Sequence, residues 1–460
     1  MIDKKTAEQI LAAPLKAGAD FTEIFAERRK NTSMSVLNGK TRSVNSGIDM
    51  GLGLRVINGE KVIYAFTNDL SPESLLRLAE DTAAAVTFGE KSHIKDYSEK
   101  KHENRSKILT LPFGVSKSII FERLKSANDA AKTYSPLITE VTTSLSAVEQ
   151  EILIFNSEGL FTEDKRVRTR ITVNSTATDK GEKQTGYFGP GASAGFEFVE
   201  NYDYEGLARK ASETAVKMLL AGPAPSGNFP VVIDNGFGGV LFHEACGHGL
   251  EAIAIAKNSS VFAGKLGQKI ASEKVTAIDD GTIPNSWGSL NFDDEGTETT
   301  KNILIENGIL KNYMCDNFYG KRIGLPSTGA CRRESYKLIP VPRMTNTYIA
   351  GGNDSREDII SSVDYGIYCK NMGGGSVNTA TAEFNFAVNE AYIIRNGKIA
   401  EPVRGATLIG RGNKIIRDIE MVSPDAKLAC GMCGASSGSI PVTVGQPMIK
   451  VSKMTVGGKA

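Results

Sequence analysis

Histidine is scarce in this chain. There are four in 460 residues, yet two of them, His243 and His248, fall within six positions of each other. Cysteine is missing from the first 245 residues, and all six (Cys246, Cys315, Cys331, Cys369, Cys430 and Cys433) lie beyond. The opening MIDKKTAEQILAAPLKAGADF has an apolar run too short and too interrupted by charge for a secretory signal. Late cysteines without such a signal favour reduced thiols, with one or more as candidate metal ligands, over a disulfide framework. No apolar run approaches ~18 residues, so no membrane span is expected. The formal net charge is only +1, which leaves no overall electrostatic footprint for nucleic acid. A cytoplasmic protein with neither membrane nor direct nucleic-acid partners is the expectation.

What is present is ordinary for a globular chain: 40% hydrophobic and 23% charged residues. At roughly 100–200 residues per domain, the length suggests two to three domains. Lys4–Ala17 has apolar Ile10, Leu11 and Leu15 at helical spacing, with Pro14 as a kink. Short β-rich runs follow from Phe21 to Phe66, punctuated by Asn38-Gly39 and Asn58-Gly59, the residue pairs that tight hairpins need. Ser71–Val86 predicts a helix with Ser71 as N-cap and Pro72 in the first turn.

A second round repeats this order: helix Ser116–Thr133, strand-like runs from Leu137 to Phe198, helix Tyr204–Leu220. INGEKVIYAF (57–66) and DKGEKQTGYF (179–188) each put a Gly-Glu-Lys turn before a strand ending in aromatics. We read an internal duplication: helix, about four antiparallel strands, helix, repeated. AGPAPSGN (221–228) reads as a linker. The fold class is therefore α+β: residues 1–222 form antiparallel sheets with flanking helices, and 223–460 form a β-rich domain. Hairpins in the second half are expected about Asn307-Gly308 and Asn396-Gly397. Gly373-Gly374-Gly375 leaves backbone open to close approach by another chain, or is simply flexible.

The chemistry concentrates in GVLFHEACGHGLE (239–251). Two histidines with a glutamate beside the first are the usual trace of a metal that activates water. The spacing is unusual, however. Four residues on an α-helix turn through about 400° and put two imidazoles on one face, whereas five turn through about 500° and leave them about 140° apart. The helix must widen, or end at the second histidine, and Gly247 and Gly249 make either distortion easy. Two neutral imidazoles, a third protein ligand and an open position would suit Zn²⁺, with Glu244 as the base. Spacing does not select the third ligand: Cys246, Glu251, Cys315, Cys331, Cys430 and Cys433 all qualify by type. Asp279, Asp280, Asp293, Asp294 and Glu295 read as solvated loops. Arg332, Arg333 and Glu334 are open to two readings, a grip on a substrate carboxylate or carbonyl, or an internal ion-pair network.

At this point the chain resembles the TldD/PmbA family, in its TldD-type metallopeptidase branch. The likeness rests on GVLFHEACGHGLE (239–251), SVFAGKLGQKIAS (260–272), DDGTIPNSWGSLNFDDEGT (279–297), ILIENGILKNYM (303–314), RRESY (332–336), PRMTNTY (342–348), YGIY (365–368), GGGSV (373–377), KIAEPVRGATLIG (398–410) and CGASSGSIPVTVGQP (433–447). It implies a zinc-dependent peptidase acting on unfolded or unstructured peptides. It implies His243 and His248 as ligands, Glu244 as the catalytic glutamate and Cys433 as the third ligand, with Cys430 and Cys246 outside the set. It further implies a dimer, either of two copies or with a metal-free TldE/PmbA-type paralogue. The family's older label, modulator of DNA gyrase, finds no basic stripe here. The rival is a non-catalytic peptide-binding or scaffold subunit, against which the intact HEACGH and Cys433 argue. After Cys433 the chain reads GASSGS where the family carries a lysine and a Gly-Gln pair, which is expected to alter substrate contacts. Arg332, Arg333, Tyr336 and Gly374 are the candidate substrate-binding residues, with Arg333 or Tyr336 as oxyanion partner.

Overall fold

The computed structural model describes residues 1–378 and 380–458. Its first half is built on one eight-stranded sheet. Three strands, Phe21–Leu37, Lys40–Asn58 and Lys61–Thr67, lie between the helices Lys4–Lys16 and Pro72–Ala84. Three more, Ile138–Asn156, Leu160–Asp179 and Glu182–Phe188, lie between the helices Lys117–Lys132 and Tyr204–Leu220. The two units share one order of elements. They join through their first strands, antiparallel from Glu23↔Asn156 to Leu37↔Thr142. Each unit has its own apolar core under its own pair of helices.

The expected repeat thus has three long strands per unit rather than four short ones. The runs FTEIFAERR and TSMSVLN are one 17-residue strand. The polar residues between them interrupt the hydrophobic pattern but not the backbone, which is paired on both sides. Asn38-Gly39 turns as expected, with φ of 48° and 77°, the left-handed pair of a type I′ hairpin. The Asn58-Gly59 turn moves on by one residue: Asn58 pairs with Lys61, and Gly59 with Glu60 forms the loop. The helix Pro72–Ala84 is capped by Ser71, whose hydroxyl accepts from the Ser74 N–H.

The second half holds two larger sheets. In one, the strands Tyr365–Asn378, Gly227–Ile233, Ile449–Gly457, Thr407–Arg411 and Glu383–Arg395 pair in turn, and the last pairs back to the first. The ring is closed, so these strands form a small barrel. The other sheet has six strands and ends in the hairpin Lys427–Ala435/Gly438–Gln446, which carries Cys430 and Cys433. Asn307-Gly308 and Asn396-Gly397 make the expected hairpin turns, all four residues at positive φ. The largest apolar core lies here, with the helix Val240–Ala245 buried in it.

The two halves meet through buried charge, and this overturns the solvated-loop reading of the acidic residues. Asp279, Asp280, Asp293, Asp294 and Glu295 are each 6% exposed or less. Arg55 reaches Glu23 at 2.9 Å and Glu295 at 2.6 Å. Arg166 reaches Asp294 at 2.6 Å, and Arg333 reaches Glu23 at 2.9 Å. Asp279 accepts from Thr345 and Thr347. The acids could be read from one stretch of sequence. Several of their partners come from strands more than a hundred residues earlier, and no local pattern announces them. Removing Arg55 would leave two carboxylates buried without their shared cation, a change that costs about 3–5 kcal/mol. Arg55→Met is expected to lower the thermal midpoint by several degrees, read by circular dichroism, with the metal site untouched.

Candidate metal centre

The helix Val240–Ala245 starts from a glycine-rich turn, Gly236–Gly239, and stops after six residues. Cys246 breaks it, with φ −131° and ψ −45°, and a 3-10 turn, Gly247–Leu250, follows. Ending the helix between the histidines is how the chain meets its five-residue spacing. The imidazoles end with ring centroids 5.1 Å apart and planes at 81°. The neighbouring glycines serve a different purpose from the one expected. Neither Gly247 nor Gly249 has a positive φ. A Cβ on Gly247 would meet the Met344 sulfur at 2.3 Å, and one on Gly249 the Phe262 ring at 2.9 Å. They allow close packing around His248.

The hairpin brings in the third group. Cys433 Sγ lies 3.3 Å from His243 Nε2 and 3.2 Å from His248 Nε2. The three ligand atoms lie within 4.8 Å of one another, all on buried residues. Tetrahedral zinc with Zn–S of ~2.3 Å and Zn–N of ~2.0–2.1 Å separates such ligands by about 3.6 Å. The trio therefore fits one small cation with slight expansion, and its two imidazoles and thiol match zinc's preferences. Burial, His248 and the Arg343 guanidinium hold His243 well below the usual imidazole range, so it is neutral and ready to ligate. Burial alone would lower His248 too, but Glu251 and Cys433 outweigh it and raise its pKa well above the usual range. A metal must displace that proton.

Cys430 points away from the two histidines. Residues three apart on a strand point to opposite faces. Cys433 faces the histidines, while Cys430 donates to Gly191 O at 2.9 Å on the other side. Cys246 is fully buried in the apolar core, where burial pushes its thiol up. Glu251 does not ligate either: its Oε1 sits 3.1 Å from His248 Nδ1, which turns Nε2 toward Cys433. Glu251 and Arg343 are the functional residues that sequence reasoning did not assign. Arg343 is fully buried, donates to Cys433 O at 2.6 Å and to Ser437 Oγ at 2.9 Å, and its Nε lies 4.0 Å from Glu251. It ties the hairpin to the histidine segment. A glutamate three residues after His248 was the readable signal for one; nothing local marks the other. Glu251→Gln is expected to weaken zinc binding about 10–100-fold, the usual cost of losing a ligand's orienting carboxylate, measured by chelator competition.

Glu244 follows His243 directly. Its Oε2 lies 3.7 Å from His248 Nε2, and its side chain is about one-fifth exposed. Burial raises its carboxyl above the usual range, with His248 opposing. The remaining candidates lie elsewhere. Arg333 is engaged by Glu23, Asp294 O and Tyr64. Tyr336 is buried between the halves, its hydroxyl 3.2 Å from Asp49. Both are committed to internal packing, so the ion-pair reading holds for Arg333, and neither hydroxyl nor guanidinium is free to meet an oxyanion. Arg332 donates to Met344 O and Pro441 O and, among the described residues, has no carboxylate within ion-pair distance. Gly374 is exposed in a bulge of the strand Tyr365–Asn378. The GASSGS segment forms the tip of the cysteine hairpin, held by Arg343 through Ser437. A second buried group, Glu295, Asp316 and Cys331, is part of the junction: Glu295 gives one oxygen to Arg55 and the other to Asn317.

A buried cluster of two histidines and one thiol with a glutamate beside it, on a barrel-and-sheet scaffold, suits a metallopeptidase, and comparison with known proteins identifies that class. Three segments match descriptions of one family: PmbA/TldA metallopeptidase domain 1 at residues 22–86, its central domain at 111–219 and its C-terminal domain at 226–458. A metalloprotease TldD homolog from Buchnera aphidicola is 38% identical over 448 residues, covering 95% of this chain and 93% of that protein. A zinc metalloprotease TldD homolog from Saccharolobus solfataricus is 28% identical, over 96% and 97%. The crystal structure of TldE from Thermococcus kodakarensis superposes with a TM-score of 0.79 at 22% identity, over 98% of this chain and all of that one. The chain belongs to the PmbA/TldD metallopeptidase family, as its motifs implied.

Proposed function

We propose that the protein is a zinc-dependent peptidase acting on unfolded or unstructured peptides, with His243, His248 and Cys433 as ligands and Glu244 as the base. The observation that carries this reading is the convergence of two imidazoles and one thiol, with a half-buried carboxylate 3.7 Å from His248. Zinc held by these three residues would supply a Lewis acid for the scissile carbonyl and for an attacking water. Glu244 would take a proton from the attacking water and return it to the leaving amine. Glu251 and Arg343 keep His248 and the cysteine hairpin in place.

The preference for unstructured peptides follows from an open strand edge. The strand Tyr365–Asn378 pairs with Gly227–Ile233 only through Ile367–Cys369; beyond that it has Glu383–Arg395 on one side alone among the described residues. The histidine helix packs against both of these strands. An extended peptide added to that edge, near Gly374, is held by backbone hydrogen bonds with little demand on its side chains. The division at 222/223 is supported by the three largest apolar cores, two wholly before it and the largest wholly after; a small cluster of Phe25, Ile152, Ile154, Phe292 and Tyr336 joins the halves. Pairing with a second chain, a copy or a paralogue, is supported by the strand Lys40–Asn58. There Val44, Ile48 and Met50 are 46–58% exposed beside an edge that Lys61–Thr67 leaves uncovered before Leu52. Among the described residues no helix is long and apolar enough to cross a membrane; the cytoplasmic location is proposed from the six free cysteines, which suit a reducing compartment.

The test is metal removal. Cleavage of an unstructured peptide is expected to stop when the protein is dialysed against a chelator and to return with one equivalent of Zn²⁺. Activity that survives demonstrated loss of metal, or equal cleavage of a tightly folded domain, overturns the reading.

A further inference from the structure

Six arginines gather around one cavity. The cavity, of about 790 Å³, lies between the first-half sheet and the second half, within the size range of small-ligand pockets. The arginines are Arg29, Arg166, Arg168, Arg170, Arg332 and Arg333. Only two carboxylates line it, Asp294 and Glu334. Asp294 is already spent on Arg166 and the Arg333 N–H. Glu334 accepts from the Ser439 N–H.

The balance within this group is uneven. Arg166 and Arg333 have carboxylate partners. Arg29, Arg168, Arg170 and Arg332 have none within ion-pair distance among the described residues. Two of these four, Arg168 and Arg332, are buried, and they are held only by neutral carbonyls: Trp287 O and Ser289 O for Arg168, Met344 O and Pro441 O for Arg332. Burial and the neighbouring guanidiniums push Arg168 down to about 9 and Arg332 down to about 10. Buried charge without a counter-charge is costly, and a cleft lined by one sign of charge concentrates the opposite sign within it.

The cavity borders the hairpin that carries Cys433. Met432 and Pro441, which face each other across the cysteine hairpin, line it. They flank the Cys433/Ile440 pair in that register, and Ile440 lines the cavity as well, so the cavity lies against the hairpin one residue from the thiol. Lys427–Ala435 is the outer strand of its sheet, and a peptide reaching from the cavity to the histidines would cross that edge beside Trp287, whose Nε1 donates to Gly431 O.

We propose that this arginine-lined cavity is a carboxylate-binding subsite, which takes an acidic side chain or the C-terminal carboxylate of a peptide whose scissile bond lies at the metal centre. The inference rests on the peptidase reading and adds to it a preference in the substrate. Arg168 and Arg332 form the floor, and Arg29 and Arg170, both half-buried, stand nearer the opening.

The test uses binding, so that it does not depend on turnover. The full-length, zinc-loaded Glu244→Gln protein is titrated with fluorescein-labelled unstructured peptides of one sequence. One has internal glutamates and an amidated end, one has glutamines and a free carboxylate, and one has glutamines and an amidated end. At least one carboxylate peptide is expected to bind about tenfold or more tightly than the neutral one, the value of a charge-assisted contact. Which of the two does so tells side chain from terminus. The advantage is expected to shrink with added salt and to be lost in Arg29→Gln/Arg170→Gln, whose half-buried positions spare the fold; Arg168→Met is the more severe version. Equal binding of all three peptides, or an advantage that survives the double substitution, overturns the subsite. Cleavage of the neutral peptide by the wild-type protein, run in parallel, reports on the peptidase reading separately.

Discussion

Cys433→Ser is expected to empty the metal centre, and Cys430→Ser to leave it full. Zinc content measured on purified protein should fall from about one ion per chain to a small fraction in the first variant and stay near one in the second. The two cysteines are three residues apart and chemically alike, so the pair isolates geometry. The Cys433 sulfur lies 3.2–3.3 Å from both histidine nitrogens, whereas Cys430 bonds to Gly191 on the other face of the hairpin. A serine at 433 loses the thiolate that zinc favours, and its weakly acidic hydroxyl does not replace it. The effect reaches stability as well. A metal that binds only the folded state raises the midpoint of unfolding, and here it joins residues 185 and 190 positions apart. Chelation should therefore lower the thermal midpoint of wild type and of Cys430→Ser, and leave that of Cys433→Ser nearly unchanged. Full zinc content in Cys433→Ser would remove the thiol from the ligand set.

What could be read from the sequence was whatever depends on neighbours along the chain. Three of the four Asn-Gly hairpins, the capped helix after Ser71 and the repeated order of elements follow from local rules, and the structure has them; the fourth turn shifts by one residue to Gly59-Glu60. The five-residue histidine spacing was readable in the same way: on a regular helix it cannot work, and the helix indeed stops at Cys246. What could not be read depends on partners far away in sequence. The five acids looked like solvated loops because Arg55 and Arg166 belong to another half of the molecule. The choice among candidate third ligands was open because a Cys-x-x-Cys pattern carries no mark of whether it lies on a turn, where both sulfurs can converge, or on a strand, where they cannot. Family resemblance pointed to Cys433, and the hairpin register supplies the physical reason. Glycines 247 and 249 show the opposite failure. Their presence was correctly tied to His248, but through backbone freedom, when the need is for space beside Met344 and Phe262.

The buried junction and the metal centre are also linked. Arg332 and Arg333 are consecutive, yet Arg333 closes the ion-pair network with Glu23 while Arg332 holds Met344 O and Pro441 O. Arg343 then spans from that strand pair to Cys433 O. The docking of the first-half sheet is thus carried, through two short strands, to the hairpin that presents the thiol. The N-terminal sheet is a wall of the cavity and a support for the site.

Glu244→Gln is the change that separates binding from chemistry. Glutamine preserves the shape of the side chain and removes its capacity to accept a proton. Because Glu244 lies outside the trio of ligand atoms, the variant should keep its zinc and its thermal midpoint. Cleavage of an unstructured peptide should fall by about 10²–10⁴-fold, the usual contribution of a positioned general base, and the loss should appear in kcat rather than in KM. The pH dependence gives a second reading. The base works only as a carboxylate, so the wild-type rate should fall as the pH drops through the Glu244 pKa. Burial raises that pKa, which moves the acid limb above the ordinary carboxylate range, while a bound cation beside it pulls in the other direction. In Glu244→Gln the residual rate should lose that limb altogether. A variant that keeps its metal and still cleaves at the wild-type rate would assign the base to another residue, and with it the reason for a glutamate next to the first histidine.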